Sequence, residues 1–105
     1  MLINIGGRYK MAELWSVDND PESHGEGRLI VEGPKTVLIQ GIPVVTHETR
    51  AGGDLAGHVE PQTNTKSGSW SETVFAYNKH AHRNNDERNC DAKTVVEGQS
   101  TVKVG

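Results

Sequence analysis

Apolar residues in this chain come in short runs cut by glycine. The runs are "RLIVEG" (28–33), "TVLIQGIPVVTH" (36–47), "ETVFAYN" (72–78), "KTVVEG" (93–98) and "STVKVG" (100–105). Each is short or broken by glycine and is bounded by turn residues. Short runs at close spacing of this kind predict an all-β meander. One window, "YKMAELW" from Tyr9 to Trp15, has helical character. Between Arg50 and Ser71 the chain is polar and glycine-rich, with no period. A loop of that length in a compact domain is uncommon and often functional.

The runs repeat one another. "IVEGPKTVLI" (30–39) and "VVEGQSTVKV" (95–104) share Val31/Val96, Glu32/Glu97, Gly33/Gly98, Thr36/Thr101 and Val37/Val102. A worn third copy lies between them. "TVLIQGIPVVTH" from Thr36 aligns without a gap to "TVFAYNKHAHRN" from Thr73, with Gly41 opposite Asn78. Glycine and asparagine both tolerate left-handed turn conformations. Each of these two copies therefore reads as a strand, a tight turn and a second strand. The loops correspond as well. Asp20 precedes His24 by four residues and Asp86 precedes Cys90 by four, each pair lying upstream of a "VEG". His24 and Cys90, both good metal-ligand types, thus fall at equivalent places.

Composition sharpens the problem of stability. The chain has 105 residues, of which 33% are hydrophobic and 5% aromatic, with 12 glycines. A domain this small and this poor in apolar residues needs a staple, a metal or a partner. The single cysteine excludes a disulfide within the chain. Net charge is −3 and no basic stripe stands out, so a nucleic-acid surface is not expected. The start, "MLINIGGRYKM", lacks the apolar core and cleavage site of a signal peptide. No apolar run approaches the roughly 18 residues of a membrane span. The expectation is synthesis in the cytoplasm, with any exit by a route other than a cleaved signal.

The repeats have the form Gly-x-x-Thr-Val-x-[apolar]-x-Gly-x-Pro-[small]-[small]-Arg, followed by Asp-x-x-x-[Cys/His]. This resembles the PAAR-repeat family. The matching stretches are "DPESHGEG" (20–27), "EGPKTVLIQGIPVVT" (32–46), "SETVFAYNKHAHRNNDERNC" (71–90) and "VVEGQSTVKVG" (95–105). "PVVT" and "HAHR" stand where the family name has Pro-Ala-Ala-Arg. The resemblance spans about residues 14–105, so residues 1–105 read as one domain with 1–13 as a lead-in. It implies an all-β, cone-shaped domain of three short hairpin-like repeats whose long loops converge on a metal-bound tip. It implies a structural role: capping the trimeric central spike of a contractile injection machine, such as a phage tail or a type VI secretion system. The partner would be the C-terminal end of the spike trimer, one copy per trimer, with brief contact to the target outer membrane. The chain has no long extension past the repeats, which disfavours the family's toxin-bearing branch. The expected location is the tip of a virion tail or of a secreted apparatus.

Family members hold one metal, commonly zinc, through three histidines and one cysteine. A Cys-His₃ set fits tetrahedral structural zinc, with iron the alternative. On this chain the implied ligands are His24, His58, His82 and Cys90. His24 and Cys90 follow from the loop correspondence, and His58 from its place in the middle loop. His82 and His80 share one face of a strand; His82 lies just before the motif arginine. His47 is the first substitute for His82 and His80 the second. The ordinary readings of these residues are solvated loop histidines and a small buried thiol. No serine, acidic cluster or glycine loop has the spacing of a catalytic triad, an EF-hand or a phosphate-binding loop. No enzyme activity is expected. The rival readings are a small metal-dependent hydrolase, with an open coordination position, and a metal-free β-module binding protein or carbohydrate.

Overall fold

The computed structural model describes residues 2–5, 8–21, 23, 26–54, 69–88 and 92–105. Among the described residues ten short strands form antiparallel pairs. In chain order they are β1 (Leu2–Ile5), β2 (Arg8–Met11), β3 (Glu13–Leu14), β4 (Glu26–Ile30), β5 (Leu38–Ile39), β6 (Ile42–Pro43), β7 (Arg50–Asp54), β8 (Phe75–Ala76), β9 (Lys79–His80) and β10 (Lys103–Val104). No helix occurs among the described residues, hence none there is long and apolar enough to cross a membrane. The protein is all-β.

Two hairpins form where the sequence places them. β5 pairs with β6 through Gln40–Gly41, and β8 pairs with β9 through Tyr77–Asn78. All four turn residues have positive φ: 52° and 77°, then 55° and 62°. Positive φ at both central residues is the two-residue turn whose twist matches that of paired strands. Tyrosine is a poor residue for that conformation. Its hydroxyl compensates by accepting the amides of Thr36 and Val37, both at 2.8 Å.

A third pair has the same register but joins the two ends of the described chain. Lys103 faces Leu14 and Val104 faces Glu13, as Leu38 faces Pro43 and Phe75 faces His80. The pair explains why Tyr9–Trp15 is not a helix. One seven-residue helix is too short to stand alone, whereas β1 and β10 offer β2 and β3 ready partners. A second correction falls in the middle segment. Arg50–Asp54, "RAGGD", is not loop but strand β7, held against β4 from Glu26↔Asp54 to Ile30↔Arg50. The order there comes from the partner, since the residues have little β preference of their own.

The three pairs meet in a closed circle of backbone bonds. The Ser16 amide donates to the His82 carbonyl (2.8 Å), the His82 amide to Val45 (3.3 Å) and the Val45 amide to Ser16 (2.9 Å). Bridges Trp15↔Arg83, Val17↔Val44 and Thr46↔Ala81 flank the circle in the same cyclic order. So do three further bonds, from Asp18 to Pro43 (2.8 Å), from His47 to His80 (2.9 Å) and from Asn84 to Leu14 (2.8 Å). Beyond the circle each segment makes one turn, at 17–20, 46–49 and 83–86. In each, the last residue's amide donates back to the first residue's carbonyl. Its side-chain oxygen accepts the first residue's amide: Asp20 from Val17, Thr49 from Thr46 and Asp86 from Arg83.

The interior is small. Trp15, Val17, Ile39, Val44, Ala76, Ala81 and Val104 form one buried cluster, and Leu29, Val31 and Val45 a second. Between them much of the buried material is polar, including Ser16, Asp20, Ser71, His82, Arg88 and Thr94. Buried polar groups are tolerated when hydrogen-bonded. Asp20 meets that rule with four bonds, from Ser16 Oγ and from the amides of Val17, Glu97 and Gly98.

Candidate functional site

His82 lies in the circle itself, which is why its side chain is wholly buried. Its Nε2 sits 2.7 Å from Thr94 Oγ1, which also accepts from Arg88 Nε at 3.4 Å. Its Nδ1 has no hydrogen-bond partner. The Ser69 backbone is close enough to favour the imidazolium slightly, yet Nδ1 makes no bond of ordinary geometry with it. Burial is the main force holding the ring neutral, well below the usual histidine range, and the charges of Arg88 and Arg83 add to it. The contact suits either tautomer; in the one with the proton on Nε2, donating to Thr94, Nδ1 presents a bare lone pair in a dry interior. That is the form a histidine ligand takes, its second nitrogen oriented by an oxygen acceptor. In that tautomer His82 fits a metal ligand.

Of the other expected ligands, His24, His58 and Cys90 lie outside the described residues. Among the described residues no three His, Cys, Asp or Glu side chains are grouped to hold a metal ion. The two substitutes for His82 occur together elsewhere. His47 Nδ1 accepts the His80 amide at 3.1 Å, so its one lone pair is committed and its proton is on Nε2. His80 Nδ1 is 2.7 Å from the Ser71 carbonyl, which makes it a donor. These bonds give His47 a structural task that competes with ligation.

Sequence reasoning missed the company His47 and His80 keep. The His80 ring stacks on Trp70 (4.9 Å, 14°) and packs on Phe75 (4.6 Å). His47 lies against both Trp70 (5.0 Å) and His80 (5.2 Å). The cyclic bond from the His47 amide to the His80 carbonyl brings the two residues together. Alignment of the copies gave their places within a copy but not which copies touch.

Charged groups elsewhere are used structurally. Arg83 grips Asp86 with two bonds of 2.8 Å in a buried pair. A shallow open recess is lined by Glu32, Thr46, Glu48, Thr49, Arg50 and Lys79. Lys79 and Glu48 pair across it at 3.3 Å, both about half exposed. Pairs so exposed contribute little. No protein-family model matches this chain, and no curated protein matches its sequence.

Proposed function

We propose that this chain is a PAAR-like structural tip protein, without enzyme activity, that caps the trimeric spike of a contractile injection machine. The observation that carries the reading is the cyclic bonding of Ser16, Val45 and His82. One chain that must sit on a three-fold end needs three equivalent contacts. A frame whose three segments bond to one another in rotation supplies them. The exposed apolar residues follow the same rotation. Val37 and Val102 occupy matching positions, and so do Leu38 and Phe75, with Lys103 at the third. Apolar residues left exposed in this way suit a contact face.

In this reading each segment runs from hairpin to circle to turn, and the chain beyond the three turns forms the point of a cone. His24, His58, Cys90 and His82 would hold one zinc or iron ion, which would lock loops that have little core of their own. The neutral, buried His82 with its open Nδ1 supports that assignment. Protein made in the cytoplasm would join the tail tip before contact with a target membrane. The experiment is co-purification with the trimeric spike of an injection particle from the same source. The chain should bind it, and Leu38→Asp with Phe75→Asp should abolish binding while the protein stays folded. Failure of the unaltered chain to bind overturns the cap.

A further inference from the structure

We propose that His47 is an acid-sensitive latch that holds the β8–β9 hairpin to the turn at 46–49. The inference concerns the domain itself and stands whether or not it caps a spike. His47 is bonded to His80 twice: its amide donates to the His80 carbonyl (2.9 Å) and its Nδ1 accepts the His80 amide (3.1 Å). The first bond recurs around the circle; the second does not. At the matching places, Asp18 Oδ1 accepts the Val31 amide (2.7 Å) and Asn84 Oδ1 the Val96 amide (3.0 Å). Those two side chains tie their turn to the returning chain. Only His47 reaches back to a hairpin, and Pro43, at the place of His80 in the neighbouring segment, has no amide to offer.

Only neutral imidazole can make this bond. A backbone N–H is always a donor, so Nδ1 must carry a lone pair. Protonation puts N–H on both ring nitrogens and sets one donor against another. The ring cannot swing aside without parting from Trp70 and the His80 ring. His80 in turn joins Trp70 to Phe75. Loss of the bond therefore loosens the whole aromatic cluster at the hairpin.

The charged groups around His47 are few among the described residues. Partial burial, the main influence, keeps the ring neutral; Glu48 on the same turn and a bond to the His80 backbone favour the charged form, and the charges of His80 and Lys79 of β9 oppose it. Lys79 also draws on Glu48 through their 3.3 Å pair. The net direction is down from the ordinary value of 6.5. The unfolded chain then takes its proton first as pH falls. Stability from the bond is complete above about 6.5 and is lost between that value and the lower one in the folded protein.

The test is a nuclear magnetic resonance titration of the full chain from pH 8 to pH 4.5. The His80 amide and the Trp70 indole should move with the His47 ring, at one midpoint below 6.5. Protection of the His80 amide from exchange should fall about five- to tenfold beyond the intrinsic pH effect, the loss expected for one hydrogen bond. His47→Asn places an acceptor oxygen near Nδ1 and cannot titrate, so it should keep the neutral-pH spectrum and lose the transition. A His80 amide that ignores the His47 titration overturns the latch. So does an unchanged midpoint in His47→Asn. If that variant does not fold, His80 exchange in the unaltered chain decides alone.

Discussion

Gly33 and Gly98 are identical by alignment, yet they are glycine for different reasons. A Cβ on Gly98 would lie 2.5 Å from Val17 Cγ2, a fully buried side chain, and 3.3 Å from Asp20 Oδ1. Gly33 has open space around it but a φ of +87°. Gly98→Ala should cost about 1–3 kcal/mol through overpacking, and Gly33→Ala about 1 kcal/mol through strain. Urea unfolding of the two variants should rank them in that order; the reverse order would contradict the packing assigned to Gly98. At the same scale, elemental analysis should find roughly one zinc or iron ion per chain if the proposed four-ligand site forms. Cys90→Ser should lower metal content and thermal stability together. Unchanged values for both would remove Cys90 from the ligand set. The candidate site was legible in the sequence only as residue types. That His82 is the buried one, with one nitrogen spoken for, depends on a circle of bonds between residues dozens of positions apart.

At the scale of elements, the hairpins show what local sequence can specify. β5–β6 and β8–β9 were legible because each is two short runs around a two-residue turn, a wholly local pattern. β7, and the pair of β3 with β10, were not, because their partners come from distant parts of the chain. The amides leading into the three pairs show the same freedom of solution. Ser71 Oγ accepts those of Thr73 and Val74, and Gln99 Oε1 those of Thr101 and Val102. The place of those two residues is held in the remaining segment by Pro34, which has no such acceptor. There Tyr77 supplies its hydroxyl from the neighbouring hairpin, to Thr36 and Val37. Tyr77→Phe should therefore speed amide exchange at Thr36 and Val37 and leave Thr73, Val74, Thr101 and Val102 unchanged. Equal acceleration at all six would mean the hydroxyl supports the fold globally and not that one link.

For the molecule as a whole, the repeated pattern outweighs the thin core. An apolar interior of two small clusters gives limited stability to a chain of 105 residues. The circle through Ser16, Val45 and His82 ties distant segments with backbone bonds that depend little on side-chain identity. That is how copies as worn as "TVLIQGIP" and "TVFAYNKH" can share one geometry. The proposal of a three-fold partner rests on this frame and not on any one exposed residue. The most direct test of that claim is the mass of the complex with the trimeric spike, measured by native mass spectrometry. A single chain should be bound per spike trimer; three chains per trimer, or no complex, would contradict the cap.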